Sequence, residues 1–183
     1  MDSRLTQSHF ELFALPEQYA LDRQALDSRY RELQRATHPD RFASSSDQER
    51  RISMQRAAQI NEAYRVLKDP VQRGRYLLEL RGHNIDDEKT TTRDGDFLMQ
   101  QMAFREALDE VPEQPDPLQA LDKLAQRVRD SADSLESALA GFLDSDRPEH
   151  IQAAIDTVMK MQFYKRLENE LTELETELED QHD

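Results

Sequence analysis

The stretch YRELQRATHPDRF, residues 30–42, ends an amphipathic helix and places His-Pro-Asp in the turn that follows it. Before the turn, apolar residues recur at i, i+4 and i+7, namely Leu26, Tyr30 and Leu33. The helix must end before Pro39, because the residue preceding a proline avoids the helical region. A second amphipathic helix follows, and its apolar stripe contains Ala57, Ile60, Tyr64 and Leu67. The sequence therefore predicts a helical hairpin with His38, Pro39 and Asp40 in its loop.

Helix-start signals divide the rest of the chain into further helices. Each is a serine or aspartate followed closely by glutamate or proline, at Ser8-x-x-Glu11, Ser46-x-x-Glu49, Asp69-Pro70, Asp116-Pro117 and Asp146-Arg147-Pro148-Glu149. Residues 81–95 are polar and mark a boundary. Beyond it, long amphipathic helices with short connections indicate an antiparallel bundle. We therefore predict an all-α fold, with a helical-hairpin domain over residues 1–80, a junction over 81–95 and a three-helix bundle over 96–183.

The charge of the chain is unevenly distributed. The 183 residues carry a net charge of −14. Residues 1–80 contribute 13 basic and 12 acidic side chains, a net of +1, whereas residues 81–183 contribute 11 and 26, a net of −15. This division fits two modules with different partners. The acidic half argues against nucleic acid as a partner, because phosphates attract a basic surface.

The composition also limits the chemistry and the location of the protein. There is no cysteine, which excludes disulfides, thiolate metal ligands and thiol nucleophiles. No apolar run approaches the roughly 20 residues of a membrane span. The first residues, Met1 to Arg4, resemble neither a signal peptide nor a transit peptide. We therefore expect a protein of the bacterial cytoplasm with no membrane partner.

An enzyme is the first alternative class of function. His38 and Asp40 have the side chains of an acid–base pair. The sequence nevertheless lacks a Gly-x-Ser-x-Gly elbow and a glycine-rich phosphate loop. Its five histidines do not have the spacing of metal ligands. We therefore expect no cofactor, no metal ion and no catalytic activity of the protein's own.

Several short motifs extend the pattern around the His-Pro-Asp turn. They are HFELFALP at residues 9–16, HPDRF at 38–42, RYLL at 75–78, RD at 93–94, FLM at 97–99 and RE-x-L at 105–108. In this order, over nearly the whole chain, they resemble the HscB family of J-type co-chaperones of iron–sulfur cluster assembly. The resemblance implies an L-shaped protein with a J-domain and a C-terminal three-helix bundle. It also implies two partners: an HscA-type chaperone ATPase and an IscU-type scaffold that carries the nascent cluster.

The resemblance implies that the first domain binds the chaperone through the loop and the basic face of the preceding helix. The residues concerned are His38, Pro39, Asp40, Arg41, Arg23, Arg31 and Arg35. Proline stiffens the loop, and the carboxylate of Asp40 suits a charge-assisted hydrogen bond with a partner's arginine. An ordinary interhelix turn and a solvated helix face are the alternative explanations. Glu32 and Ala36 stand where basic residues are common in J-domains, so the face is weaker and suits a dedicated partner.

The helix that begins near Asp96 carries apolar residues on two faces. At 100° per residue, one core stripe contains Phe97, Gln101, Phe104, Leu108 and Val111, whereas Leu98, Met99 and Met102 point away from it. This pattern is typical either of a binding patch or of a helix covered on both sides. The resemblance favours scaffold binding, and it implies the residues Leu98, Met99, Met102, Glu106 and Phe163. Phe163 also lies off the apolar stripe of the last helix, so we expect it to be exposed.

Two binding functions compete with this interpretation. A general folding co-chaperone commonly follows its J-domain with a Gly/Phe-rich linker and a cysteine zinc module, but this chain has four glycines and no cysteine. A purely structural helical adaptor would use the acidic bundle as its only binding surface. Substitution of His38 separates the two classes, because an adaptor would keep its function and a J-protein would lose it. We expect a monomer whose exposed apolar residues permit weak dimers.

Overall fold

The computed structural model describes residues 7–38, 46–86 and 94–180. The regular elements in these ranges are helices, as predicted for an all-α fold. They are α1 (His9–Leu12), α2 (Arg23–Thr37), α3 (Asp47–Lys68), α4 (Pro70–Leu80), α5 (Gly95–Asp109), a 3-10 turn (Val111–Glu113), α6 (Pro117–Leu143) and α7 (Pro148–Asp180). The chain divides into two compact units, Met1–Gly82 and His83–Asp183. No helix within the described ranges has both the length and the apolarity needed to cross a bilayer.

Local capping chemistry begins four of the helices at the start signals read from the sequence, Ser8, Ser46, Asp69 and Asp116, where a side-chain oxygen accepts a hydrogen bond from a backbone N–H of the first turn. Asp22 caps α2 in the same way, and α5 is capped by Asp94 rather than beginning near Asp96. Ser8 and Ser46 form complete capping boxes with Glu11 and Glu49. Each cap satisfies donors that have no partner inside the helix, which favours a helix start at that residue.

In the first unit, α2 and α3 form the predicted hairpin and are joined by two tyrosines. The rings of Tyr30 and Tyr64 stack with their centroids 3.9 Å apart. The Tyr64 hydroxyl donates to Asp27 Oδ1 at 2.9 Å, and the Tyr30 hydroxyl donates to Asn61 Oδ1 at 3.0 Å. Stacking and cross-helix hydrogen bonds together fix the register of α2 against α3.

The C-terminal end of α2 is also tied to α3. The helix ends at Thr37, as the proline that follows His38 requires. Thr37 donates its hydroxyl back to the Leu33 carbonyl at 3.0 Å, and its own carbonyl accepts from the Ser53 hydroxyl at 3.0 Å. Because Thr37 and Ser53 are both buried, these bonds are protected from water, and they fix the backbone from which His38 projects.

The motifs at residues 9–16 and 75–78 meet in the core of the first unit. The rings of His9 and Tyr76 stack at 4.2 Å, and the His9 N–H donates to the Tyr76 hydroxyl at 3.0 Å. Burial lowers the pKa of His9 and raises that of Tyr76. Phe10 and Leu78 are fully buried nearby in sequence. The contacts between His9 and Tyr76 therefore join α1 to α4.

The second unit is the predicted three-helix bundle. A connection of only a few residues, 144–147, joins α6 to α7, so the two long helices pack antiparallel. α5 packs against both of them. One core cluster contains buried apolar residues from all three helices and the 3-10 turn, namely Phe97, Phe104, Val111, Leu121, Leu124, Val128, Phe163, Tyr164, Leu167, Leu171 and Leu178. α6 and α7 bury further apolar residues, namely Leu139, Leu143, Ile151, Ala154, Val158 and Met161.

Candidate functional site

The first unit has an open groove where α2 ends beside α3. Its volume is about 710 Å³, and it is lined by Arg31, Gln34, Arg35, Thr37, His38, Ala57 and Asn61. His38 is the C-cap of α2, has an extended backbone conformation and is exposed. Two arginines and a histidine therefore surround one concave surface. We call this surface the α2–α3 groove.

The structure brings together three of the residues that the sequence singled out for this unit. Arg31, Arg35 and His38 all line the α2–α3 groove. Arg23 lies at the other end of α2, exposed to solvent, and is not a lining residue. Pro39, Asp40 and Arg41 lie outside the described residues. Glu32, which weakens the basic face, forms an exposed ion pair with Arg29 at 3.0 Å.

Four lining residues of the groove were not predicted as contacts from the sequence, namely Gln34 and Thr37 of α2 and Ala57 and Asn61 of α3. Gln34 donates its amide to the Tyr30 hydroxyl at 2.5 Å, within the network that includes Asn61. Gln34 lies within about 60° of Arg31 on the helical wheel, so the periodicity of α2 alone identifies it. Ala57 and Asn61 come from α3, and only the tertiary packing of α2 on α3 brings them to the groove.

The second unit exposes a cluster of large apolar side chains on α5. Leu98, Met99 and Met102 are 44%, 72% and 73% exposed. Phe97 and Phe104, on the predicted core stripe of the same helix, are buried. Within the second unit, one side of α5 is therefore buried and the other is open. We call these three side chains the α5 patch.

A groove between α5 and α7 adjoins the α5 patch. Its volume is about 870 Å³, and it is lined by Gln101, Met102, Arg105, Glu106, Asp109, Glu110, Glu113, Phe163 and Arg166. Met102 belongs to both the groove and the patch, so apolar and acidic surfaces are continuous. Arg105 crosses the groove to pair with Glu170 of α7. Of these residues, the sequence predicted Met102, Glu106 and Phe163 as contacts.

The expectation that Phe163 is exposed is wrong. It is only 5% exposed, and its ring packs edge-on against Phe97 at 5.7 Å and against Tyr164 at 5.3 Å. The stripe of Val158, Met161, Leu167 and Leu171 identified one covered side of α7. However, α7 packs against both α5 and α6, so a second side is covered as well. Phe163 forms part of the base of the groove from within the core.

Truncation of Phe163 is expected to destabilise the protein. Phe163→Ala removes an aromatic ring from a packed core, which typically costs about 3–5 kcal/mol of unfolding free energy. Chemical denaturation of the intact protein measures this loss. Met102→Ala is the matched control from the same groove, and because Met102 is exposed we expect a change within about 0.5 kcal/mol. A loss below about 1 kcal/mol for Phe163→Ala would contradict the buried position.

The described residues provide binding surfaces and no recognisable metal site. Within residues 7–38, 46–86 and 94–180, no three or more histidine, aspartate or glutamate side chains cluster as metal ligands would. The two concave surfaces lie on different compact units. One is lined by arginine and histidine, and the other combines apolar and acidic side chains. Such surfaces recognise macromolecules by shape and charge.

Comparisons with known proteins agree with this division. Residues 8–76 match the family model of the DnaJ domain, and residues 93–172 match the one described as the HSCB C-terminal oligomerisation domain. A co-chaperone protein HscB homologue from Shewanella baltica is 42% identical over 173 residues, which cover 94% of this chain and 99% of the relative.

Two solved structures of HscB proteins match most of the chain. The chaperone HscB from Vibrio cholerae has a TM-score of 0.83 and 39% identity, and the match covers 93% of this chain and 99% of that one. Human co-chaperone protein HscB has a TM-score of 0.83 and 26% identity, over 94% and 83% of the two chains. A J-domain implies a chaperone partner of the Hsp70 class. The chain therefore belongs to the HscB family of J-domain proteins and is a co-chaperone of iron–sulfur cluster assembly.

Proposed function

We propose that the protein couples an HscA-type chaperone ATPase to an IscU-type iron–sulfur scaffold. Residues 1–80 stimulate the ATPase, residues 81–95 are the junction, and residues 96–183 hold the scaffold. The protein catalyses no reaction of its own and requires no cofactor. The observation that carries the proposal is the presence of two chemically different exposed surfaces, one basic and one apolar, on two compact units of one chain.

The α2–α3 groove supports the chaperone half of the proposal. Arg31 and Arg35 offer positive charge to an acidic partner surface, which speeds encounter and sets orientation. His38, followed in the chain by Pro39, Asp40 and Arg41, projects from the end of a helix that is fixed against α3. A protein bound there raises ATP turnover by binding one state of the chaperone more tightly than another. Arg23 contributes to the basic face further along α2.

The α5 patch supports the scaffold half. Exposed apolar clusters on a folded protein mark interaction sites, and Leu98, Met99 and Met102 form such a cluster. Methionine adapts its shape to a partner because its side chain is flexible and polarizable. Glu106 adds a negative charge in the groove that adjoins the α5 patch. Phe163 contributes from below, as part of the groove base, rather than as a projecting side chain.

The location and oligomeric state belong to the same proposal. The relatives at 42% identity come from bacteria of the genus Shewanella, which favours the bacterial cytoplasm. We propose a monomer that binds neither nucleic acid nor membrane. The −15 charge of residues 81–183 opposes binding to phosphate-rich surfaces and also opposes close pairing of two copies. The α5 patch still permits a weak dimer when no scaffold is present.

The steady-state ATPase rate of the HscA-type chaperone tests the proposal. It is measured for the chaperone alone, with the protein, with the scaffold, and with both. We expect the protein to raise the rate several-fold and the scaffold to increase this stimulation further, since each partner binds a different surface. An unchanged rate with the protein would refute the chaperone half. Stimulation that is insensitive to the scaffold, together with no measurable scaffold affinity, would refute the other half.

A further inference from the structure

The N-terminal end of α5 is held by one aspartate that bonds in three directions. Asp94 Oδ1 accepts from the Phe97 N–H at 3.0 Å, and the Asp94 carbonyl accepts from the Leu98 N–H at 3.0 Å. Asp94 Oδ2 accepts from Lys160 Nζ of α7 at 2.5 Å. The cap of α5 is therefore bonded both to its own first turn and to a helix distant in sequence.

Lys160 also contacts the first core residue of α5. Its Nζ lies 5.4 Å from the centroid of the Phe97 ring, in a cation–π arrangement. Lys160 and Asp94 are both partly buried. The hydrogen bond from Lys160, followed by that from the Phe97 N–H, lowers the pKa of the Asp94 carboxyl. The Asp94 carboxyl is therefore ionised at neutral pH, and the Lys160 ammonium group joins the cap and the core at the start of the helix.

The α5 patch depends on this attachment because the first two turns of α5 bury little. Phe97 is the only buried residue before Phe104 in this helix. Leu98, Met99 and Met102 all lie within the first two turns after the cap, and Leu98 donates directly to it. If the first turn frays, the patch loses its fixed positions. A partner must then order these side chains on binding, which weakens the affinity.

We infer that Lys160 is a positioning residue for the scaffold surface, acting through Asp94 to hold the first turn of α5 against α7. This role rests on the proposed binding of the scaffold at the α5 patch. Lys160 orders the binding residues before the partner arrives, so its contribution appears in the affinity for the scaffold. It has no role in the stimulation of the chaperone by the first unit.

Scaffold affinity, measured by calorimetry, tests the role of Lys160. We expect Lys160→Met to bind the IscU-type scaffold about five- to tenfold more weakly than the wild type. Lys160→Arg, which retains a charged donor, should restore binding to within about twofold of the wild type. Lys123→Met is the matched control, because Lys123 is an exposed lysine of α6 that donates to Gln119 Oε1 of the same helix at 3.0 Å. It should leave the affinity unchanged.

A double-mutant cycle tests whether Lys160 acts on scaffold affinity through Asp94. Asp94→Ser keeps an N-cap side chain for α5 but removes the carboxylate that Lys160 binds. We expect Asp94→Ser to weaken binding as much as Lys160→Met, and the double variant to be no weaker than either single variant. In the free protein, the methyl NMR signals of Met99 and Met102 should broaden or shift in both single variants and not in Lys123→Met.

Other outcomes would refute either the role of Lys160 or the binding of the scaffold. Tight wild-type binding that survives Lys160→Met would refute the role of Lys160 and leave the proposed function intact. Additive losses in the cycle, or a Lys160→Arg variant as weak as Lys160→Met, would also refute it. If the wild type itself does not bind the scaffold, the scaffold proposal fails, and the role of Lys160 fails with it.

Discussion

The His38→Gln variant is expected to lose the stimulation of the chaperone's ATPase while remaining folded. His38 is exposed at the end of α2 and lines the α2–α3 groove beside Arg31 and Arg35. Glutamine retains a hydrogen-bonding side chain of comparable length but lacks the ring. Loss of an interface hot spot costs about 2 kcal/mol or more, which corresponds to about a 30-fold weaker apparent affinity. The chaperone's ATPase rate, titrated with each variant, measures the loss.

A second histidine provides the control for this substitution. His83 is also exposed, but it lies beyond the end of α4 and does not line the α2–α3 groove. His83→Gln should stimulate the ATPase as the wild type does. Scaffold affinity should be the same for both variants, because the α5 patch is on the other unit. Equal stimulation by His38→Gln and the wild type would exclude His38 from the chaperone contact and restore the helical-adaptor interpretation.

The helical framework was predictable because its signals are local. A cap such as Ser8, Ser46 or Asp69 acts on the backbone within three residues, so a short stretch of sequence contains both partners. The end of α2 at Thr37 follows in the same way from the proline two residues later. The division into a charge-balanced half and an acidic half is equally a property of the sequence alone.

The sites were only partly predictable because they combine residues from separate helices. Arg31 and Arg35 share a face of α2, which periodicity reveals, but Asn61 reaches the same groove only through the stacking of Tyr30 on Tyr64. The bond from Lys160 to Asp94 likewise joins residues 66 positions apart. No helical wheel contains such a pair, and a lysine on α7 is indistinguishable by pattern from any other solvated lysine.

Phe163 shows how a periodic pattern leads to an error. A wheel identifies the covered side of a helix from a narrow stripe of apolar residues. Phe163 lies four residues before Leu167, about 40° from it on the wheel, so the buried arc of α7 extends beyond the stripe and includes Phe163. α5 also packs against both other helices, but its buried residues, Phe97 and Phe104, share one stripe, and the wheel correctly leaves Met99 and Met102 exposed.

Replacing both methionines of the α5 patch is expected to remove most of the scaffold affinity. The Met99→Ala, Met102→Ala double variant deletes two exposed apolar side chains without opening a cavity. If each contributes about 1.4 kcal/mol on burial at the interface, the dissociation constant rises about 100-fold. Calorimetric titration with the IscU-type scaffold measures this change. The free energy of unfolding should be unaffected, because neither side chain is part of the core.

Met54 is the matched control, since it is a similarly exposed methionine on α3 of the first unit. Met54→Ala should bind the scaffold as tightly as the wild type. The double variant should still stimulate the chaperone in the absence of scaffold, whereas the further increase caused by the scaffold should disappear at concentrations well below the new dissociation constant. The His38→Gln variant should behave in the opposite way: it should bind the scaffold as tightly as the wild type and fail to stimulate the chaperone's ATPase. Unchanged scaffold affinity in the double variant would show that the scaffold binds outside the α5 patch. If the mass measured by light scattering fell at the same time, the patch would be the contact between two copies of the chain.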